Sequence, residues 1–168
     1  MTTDGTTTPQ PATGEVAVER DRTLPAVHIV REFAAPPDAV FRAHTDPELI
    51  VRWQVPHDME MELDAYDCRT GGSYRYTHHH GDDTYGFFGS FHEVRADDHV
   101  IVQTFCFEGA PDSVALERLT LTDLGGGRTR LTATSRFDSF EARDAMLAQG
   151  MQQGIEEMYD RLDAVLAG

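Results

Sequence analysis

The chain opens its clear patterning at residues 27–33, where Val27, Ile29, Arg31 and Phe33 fall to one side and His28, Val30 and Glu32 to the other. That two-residue period predicts a strand. Pro36-Pro37-Asp38 stops it and opens a helix carrying Val40, Phe41 and His44 at helical spacing. Asp46-Pro47-Glu48 starts a second short helix, with Asp46 as cap and Pro47 at the first helical position. It carries Leu49, Ile50 and Trp53, and Pro56 ends it.

Strands separated by turns fill the middle. They are predicted at 59–68, 73–79, 85–94, 100–107, 114–124 and 128–137. Gly71-Gly72, Gly81-Asp82-Asp83, Ala96-Asp97-Asp98, Gly109-Ala110-Pro111 and Gly125-Gly126-Gly127 punctuate them. Even spacing of this kind predicts one antiparallel meander. The period then changes. Leu147, Met151, Ile155, Met158, Leu162 and Leu166 step by three or four residues, one apolar stripe of a long helix, with Glu156, Glu157, Asp160, Arg161 and Asp163 opposite. Gly150 and Gly154 interrupt it. Each fits either close approach to the sheet or a ligand, or, for Gly150, a break from a short helix at 140–149. The predicted class is α+β: about seven antiparallel strands curved around a long C-terminal helix, with two short helices after the first strand.

Composition narrows the function. The 168 residues suit one domain, expected at 24–168, behind an N-terminal tail at 1–23 built largely from Thr, Pro, Gly and Ala. There are 29 acidic side chains against 14 basic ones, a net charge of −15. That field repels phosphate backbones and anionic lipid surfaces, so neither nucleic acid nor membrane is expected as a partner. All basic residues are Arg and there is no Asn, which excludes a Schiff-base lysine, a P-loop and N-glycosylation. The Arg-only, Ala/Asp/Gly-rich composition fits a high-GC bacterial or haloarchaeal source. Cys68 and Cys106 make no disulfide framework, and no secretory signal pattern leads the chain, so the cytoplasm is expected.

Several segments, taken in order, carry a resemblance. They are Phe33-Ala34-Ala35-Pro36-Pro37-Asp38-Ala39-Val40-Phe41, Trp53 with Pro56, and Arg69-Thr70-Gly71-Gly72-Ser73-Tyr74-Arg75-Tyr76. Then follow Gly89-Ser90-Phe91-His92-Glu93-Val94, Phe105-Cys106-Phe107-Glu108-Gly109, Gly125 to Leu131-Thr132, and Gly150-Met151. The chain resembles the activator of heat-shock protein 90 ATPase homologues, within the START and polyketide-cyclase superfamily. The resemblance implies a helix-grip fold with a cavity between sheet and helix. It implies no single activity, because its members bind lipids or hormones, cyclise polyketides or stimulate a chaperone ATPase.

No catalytic set stands out. Ser90 and His92 share a strand face but lack a nucleophile elbow and an orienting third group. His78-His79-His80 matches no zinc spacing, and no metal or cofactor is expected. The aromatic set is more informative. Trp53, Tyr74, Tyr76, Phe88, Phe105 and Phe107 fall on elements that should surround the helix stripe of Met151, Ile155 and Met158. They are the cavity candidates, with His92, Arg75, Glu117 and Arg118 as polar groups able to orient a ligand. The expected function is non-catalytic binding of an apolar small molecule, by a monomer or homodimer. The alternatives are a cyclase-type enzyme using cavity Tyr, His and Arg residues, and a module that binds a chaperone or other protein.

Overall fold

The computed structural model describes Pro11 and residues 14–168. Eight strands form one curved, open antiparallel sheet in the order β1-β2-β8-β7-β6-β5-β4-β3. They are β1 (Val16–Arg20), β2 (Ala26–Phe33), β3 (Glu60–Tyr66), β4 (Ser73–His80), β5 (Asp83–Arg95), β6 (Val100–Phe107), β7 (Val114–Gly125) and β8 (Arg128–Arg136). Helices α1 (Pro37–Thr45) and α2 (Pro47–Trp53) carry the chain from β2 to β3 at the far edge, and α3 (Phe140–Ala148) and α4 (Met151–Ala167) close it.

The eighth strand is β1. β1 lies within the stretch 1–23 that the sequence assigns to a tail, and it pairs with β2 from Val16↔Arg31 to Arg20↔Val27. The rest of the expected tail, 1–10 with 12 and 13, lies outside the described residues. The segment after β1 is tied down by two side chains. Asp21 accepts from the backbone N–H of Thr23 and Leu24 and pairs with His28 Nε2 at 2.8 Å. Arg143 of α3, itself buried, donates to the carbonyls of Asp21 and Leu24. Buried carbonyls need such partners, so α3 holds the β1–β2 turn.

Gly150 is the break between the last two helices. Its φ of 86° is left-handed, a conformation that costs any side-chain-bearing residue but not glycine. Leu147 therefore belongs to α3, not to the stripe of α4. On α4 the buried residues are Ile155, Tyr159 and Leu162. Tyr159, absent from the predicted stripe, meets Phe33 edge-on at 5.5 Å and Trp53 at 6.3 Å. Arg31 of β2, only 2% exposed, reaches Asp163 at 2.6 Å and lies over the Phe33 ring. Leu162, Phe33, Val27 and Leu131 are sealed from solvent around this anchor, so the C-terminal part of α4 sits on a close-packed core.

Candidate functional site

Toward the N-terminal end of α4 the packing opens into a cavity of about 510 Å³ between helix and sheet. That size is within the ordinary range for small-molecule sites. Strand parity decides what lines it. Tyr74 and Tyr76 of β4 face inward, as do Phe105 and Phe107 of β6. Trp53 of α2 and Met151, Ile155 and Met158 of α4 complete the set. Trp53 is fixed by its Nε1 donating to the Ala43 carbonyl at 2.8 Å. Four rings form a continuous apolar wall: Tyr74 stacks on Tyr76, Tyr76 on Phe87, and Phe87 on Phe105, with centroids 5.2–6.0 Å apart.

Two candidates lie elsewhere. Phe88 neighbours Phe87 on β5 and therefore points to the opposite face, where the Arg75 guanidinium lies 4.9 Å from its ring centroid and pairs with Glu108. Phe87 takes the place expected for Phe88, and Arg75 is absent from the cavity with it. His92 is exposed at an irregularity of β5, where pairing with β6 shifts between Phe91 and Glu93. Phe91 shares strand parity with Phe87 and lines the cavity, while His92 falls with Phe88 and Ser90 on the opposite face, so no Ser90–His92 pair faces the pocket. Arg118 borders the cavity but its side chain is exposed.

One polar row crosses the apolar wall. Gln103, Glu117 and Ser135 are directly opposite one another on β6, β7 and β8 and point to the same side. Gln103 Nε2 donates to Glu117 Oε1 at 3.2 Å, and Ser135 Oγ donates to Oε2 at 2.9 Å. Tyr74 joins the row through Gln103 at 3.3 Å and donates to the Thr104 carbonyl at 2.6 Å. Gly89 makes room for that ring, since a Cβ there would fall 2.7 Å from the Tyr74 hydroxyl. Burial raises the Glu117 carboxyl above the usual carboxylate range, while its two neutral donors oppose the shift. Of this row the sequence singles out Glu117 and Tyr74. Gln103 and Ser135 were missed, although Gln103 shares strand parity with Phe105 and Phe107.

Two histidines also line the cavity. His44 Nδ1 donates to the Val40 carbonyl at 2.8 Å, and its Nε2 is buried without a partner. Burial lowers its pKa to about 4, so the ring is neutral. His78, first of the histidine run, donates from Nε2 to the Gln54 carbonyl at 3.0 Å, and burial lowers its pKa too. His79 and His80 instead pair with Glu62 and Asp58. Among the described residues no three His, Cys, Asp or Glu side chains converge as a metal site. No helix among them is long and apolar enough to cross a membrane.

Solved structures share this architecture. A Rhodobacter sphaeroides protein is 26% identical, with a TM-score of 0.82 over 91% of this chain and 98% of its own. An Arthrobacter aurescens protein is 27% identical, with a TM-score of 0.81 over 90% and 91%. A protein of the dynemicin biosynthetic locus is 25% identical, with a TM-score of 0.65 over 84% of this chain and 47% of its own. No curated protein matches the chain. The family model described as Activator of Hsp90 ATPase homolog 1-like protein matches residues 34–167. With that match over most of its folded length, the chain belongs to the family of activator of Hsp90 ATPase homolog 1-like proteins.

Proposed function

We propose that the protein binds an apolar small molecule, enclosing it between α4 and the inner face of β4–β7. The cavity itself carries this reading. A domain of this size ordinarily closes its core to native density, yet here about 510 Å³ is left open beside a wall of stacked rings. Its lining suits a changing occupant. Met151 and Met158 are flexible thioethers that adapt to irregular contents. Gly154 leaves the helix face bare, with nothing within 4 Å of where its Cβ would be. Helix-grip ligand binding is also in keeping with the family.

A second reading, proton transfer on the bound compound, is favoured by Glu117. A carboxyl whose proton affinity is raised by burial, set in an apolar cavity, is suited to exchange a proton with a ligand. The similarity to a protein from a biosynthetic locus agrees with this reading.

The test is fluorescence of an environment-sensitive apolar dye added to the parent protein and to Met158→Trp. Bright, saturable emission with the parent, reduced in the filled variant, is the expected outcome. No emission with the parent, and no NMR shifts with a panel of hydrophobic compounds, would refute enclosure.

A further inference from the structure

Between α2 and β3 the chain makes one tight turn, Pro56-His57-Asp58-Met59, in which the Met59 N–H donates to the Pro56 carbonyl at 3.2 Å. Pro56 and Met59, at its two ends, line the cavity, whereas His57 and Asp58, between them, face solvent. The turn is a thin piece of cavity wall with water behind it. Its entry is fixed: Val55 is buried, and the Gln54 carbonyl accepts from His78 Nε2 at 3.0 Å. Past that point the ties are polar. Glu157 accepts from the His57 N–H at 3.1 Å, and Arg161 donates to the His57 carbonyl at 2.8 Å. Residues four apart on a helix share a face, so one face of α4 grips both backbone polar groups of His57. On the other side, His80 of β4 pairs with Asp58 at 3.1 Å. The turn is strung between the helix and the sheet, the two walls of the cavity.

These ties lie at the surface, where water replaces them at small cost. A second exposed stretch, Gln149-Gly150, also borders the cavity. It joins two helices, and swinging it away would pull α3 from the Asp21 and Leu24 carbonyls that Arg143 holds. The turn lifts by breaking its own ties alone. We propose that the turn Pro56–Met59 is the door of the cavity, that Glu157 and Arg161 are its latch, and that ligands enter and leave as the turn lifts from α4. This rests on the binding function proposed above and adds the route to the site. Neither latch residue lines the cavity, so both act on passage and not on the bound ligand. Bonds that hold a door shut slow entry and exit alike, so weakening them raises both rates and leaves affinity unchanged.

The experiment is stopped-flow fluorescence of Nile red, a neutral apolar dye, with the full chain. Association is read on mixing and dissociation on dilution. In the double variant Glu157→Ala/Arg161→Ala both rates should rise about tenfold, the typical worth of two surface hydrogen bonds. Kd should stay within about twofold of the parent. Glu156→Ala, whose side chain bonds to Gln152 of its own helix, should leave both rates unchanged. Unchanged rates in the double variant, or a rise matched by Glu156→Ala, would overturn the door while leaving binding intact. A rise in dissociation alone, with weaker affinity, would make the pair part of the grip on the ligand and overturn the door as well. No binding of Nile red to the parent would overturn the binding function and the door with it. Far-UV circular dichroism checks that the double variant is folded. If it is not, Arg161→Ala alone decides, with both rates expected to rise about threefold.

Discussion

The two ends of α4 face the same sheet and meet it differently. Around Leu162 the helix is sealed onto Phe33, Val27 and Leu131, and Arg31 clamps it through Asp163. Around Met151, Gly154 and Met158 it stands off from Tyr76, Phe105 and Phe107, across the cavity. The difference lies in side-chain chemistry along one helix. Branched aliphatics and an ion pair buried only on its Arg31 side occupy the anchored end, while thioethers, a glycine and stacked aromatics border the open end. If the cavity binds a ligand as proposed, stability and binding fall to different stretches of one element, and each should be alterable with little effect on the other.

The largest contrast should come from truncating one residue at each end. Leu162→Ala removes a side chain with no solvent exposure and should cost about 3–5 kcal/mol of unfolding free energy. Met158→Ala, already bordering open space, should cost about 1 kcal/mol. Urea denaturation of both measures the ratio, and equal losses would erase the distinction between the two ends.

Acidification probes the cavity wall next. His44 has its pKa lowered from 6.5 to about 4 by burial. Its neutral form contributes stability that is full above pH 6.5 and is lost as pH falls from there toward 4, because the unfolded chain takes up the proton first. The loss should reach about 3 kcal/mol at pH 4. Denaturation midpoints of the parent and His44→Leu, followed from pH 7 to pH 4, should converge on the acid side by that amount. Glu117 acts in the opposite sense. Its raised pKa means stability present at low pH and lost as pH rises through the folded value, so Glu117→Gln should flatten that slope.

Arg31→Ala tests the anchor from the sheet side. Asp163 is 42% exposed and can return to water, so the loss should be about 1–2 kcal/mol rather than that of a stranded buried charge. The smallest effect is a gain. Gly154→Ala puts a methyl into open space within a helix and should stabilise by up to about 1 kcal/mol. A thermal melt that moves down instead would mean that the helix face at Gly154 is already in contact with the sheet.

How much of this was legible in the sequence differs by feature. The meander, the two short helices and the final helix follow from period and turn residues, and so do the inward faces of β4 and β6. β1 escaped because it has only five residues and two inward valines, next to a Thr- and Pro-rich stretch. Phe87 and Phe88 are adjacent aromatics, and only parity distinguishes them. His92 shares the parity of Phe88 and follows it to the outer face. The polar row is the deepest omission. Gln103, Glu117 and Ser135 meet through cross-strand register, and register is fixed only when all three strands are paired.

The central claim is that the open end of α4, and not the anchored end, receives an apolar ligand. Methyl NMR read at both ends during a titration with 2-naphthol tests it most directly. Enclosure predicts large, saturable shifts of the Met151 and Met158 ε-methyls and of Ile155, with the Leu162 methyls unmoved. Shifts concentrated at Leu162, or no movement at either methionine at saturating ligand, would contradict it.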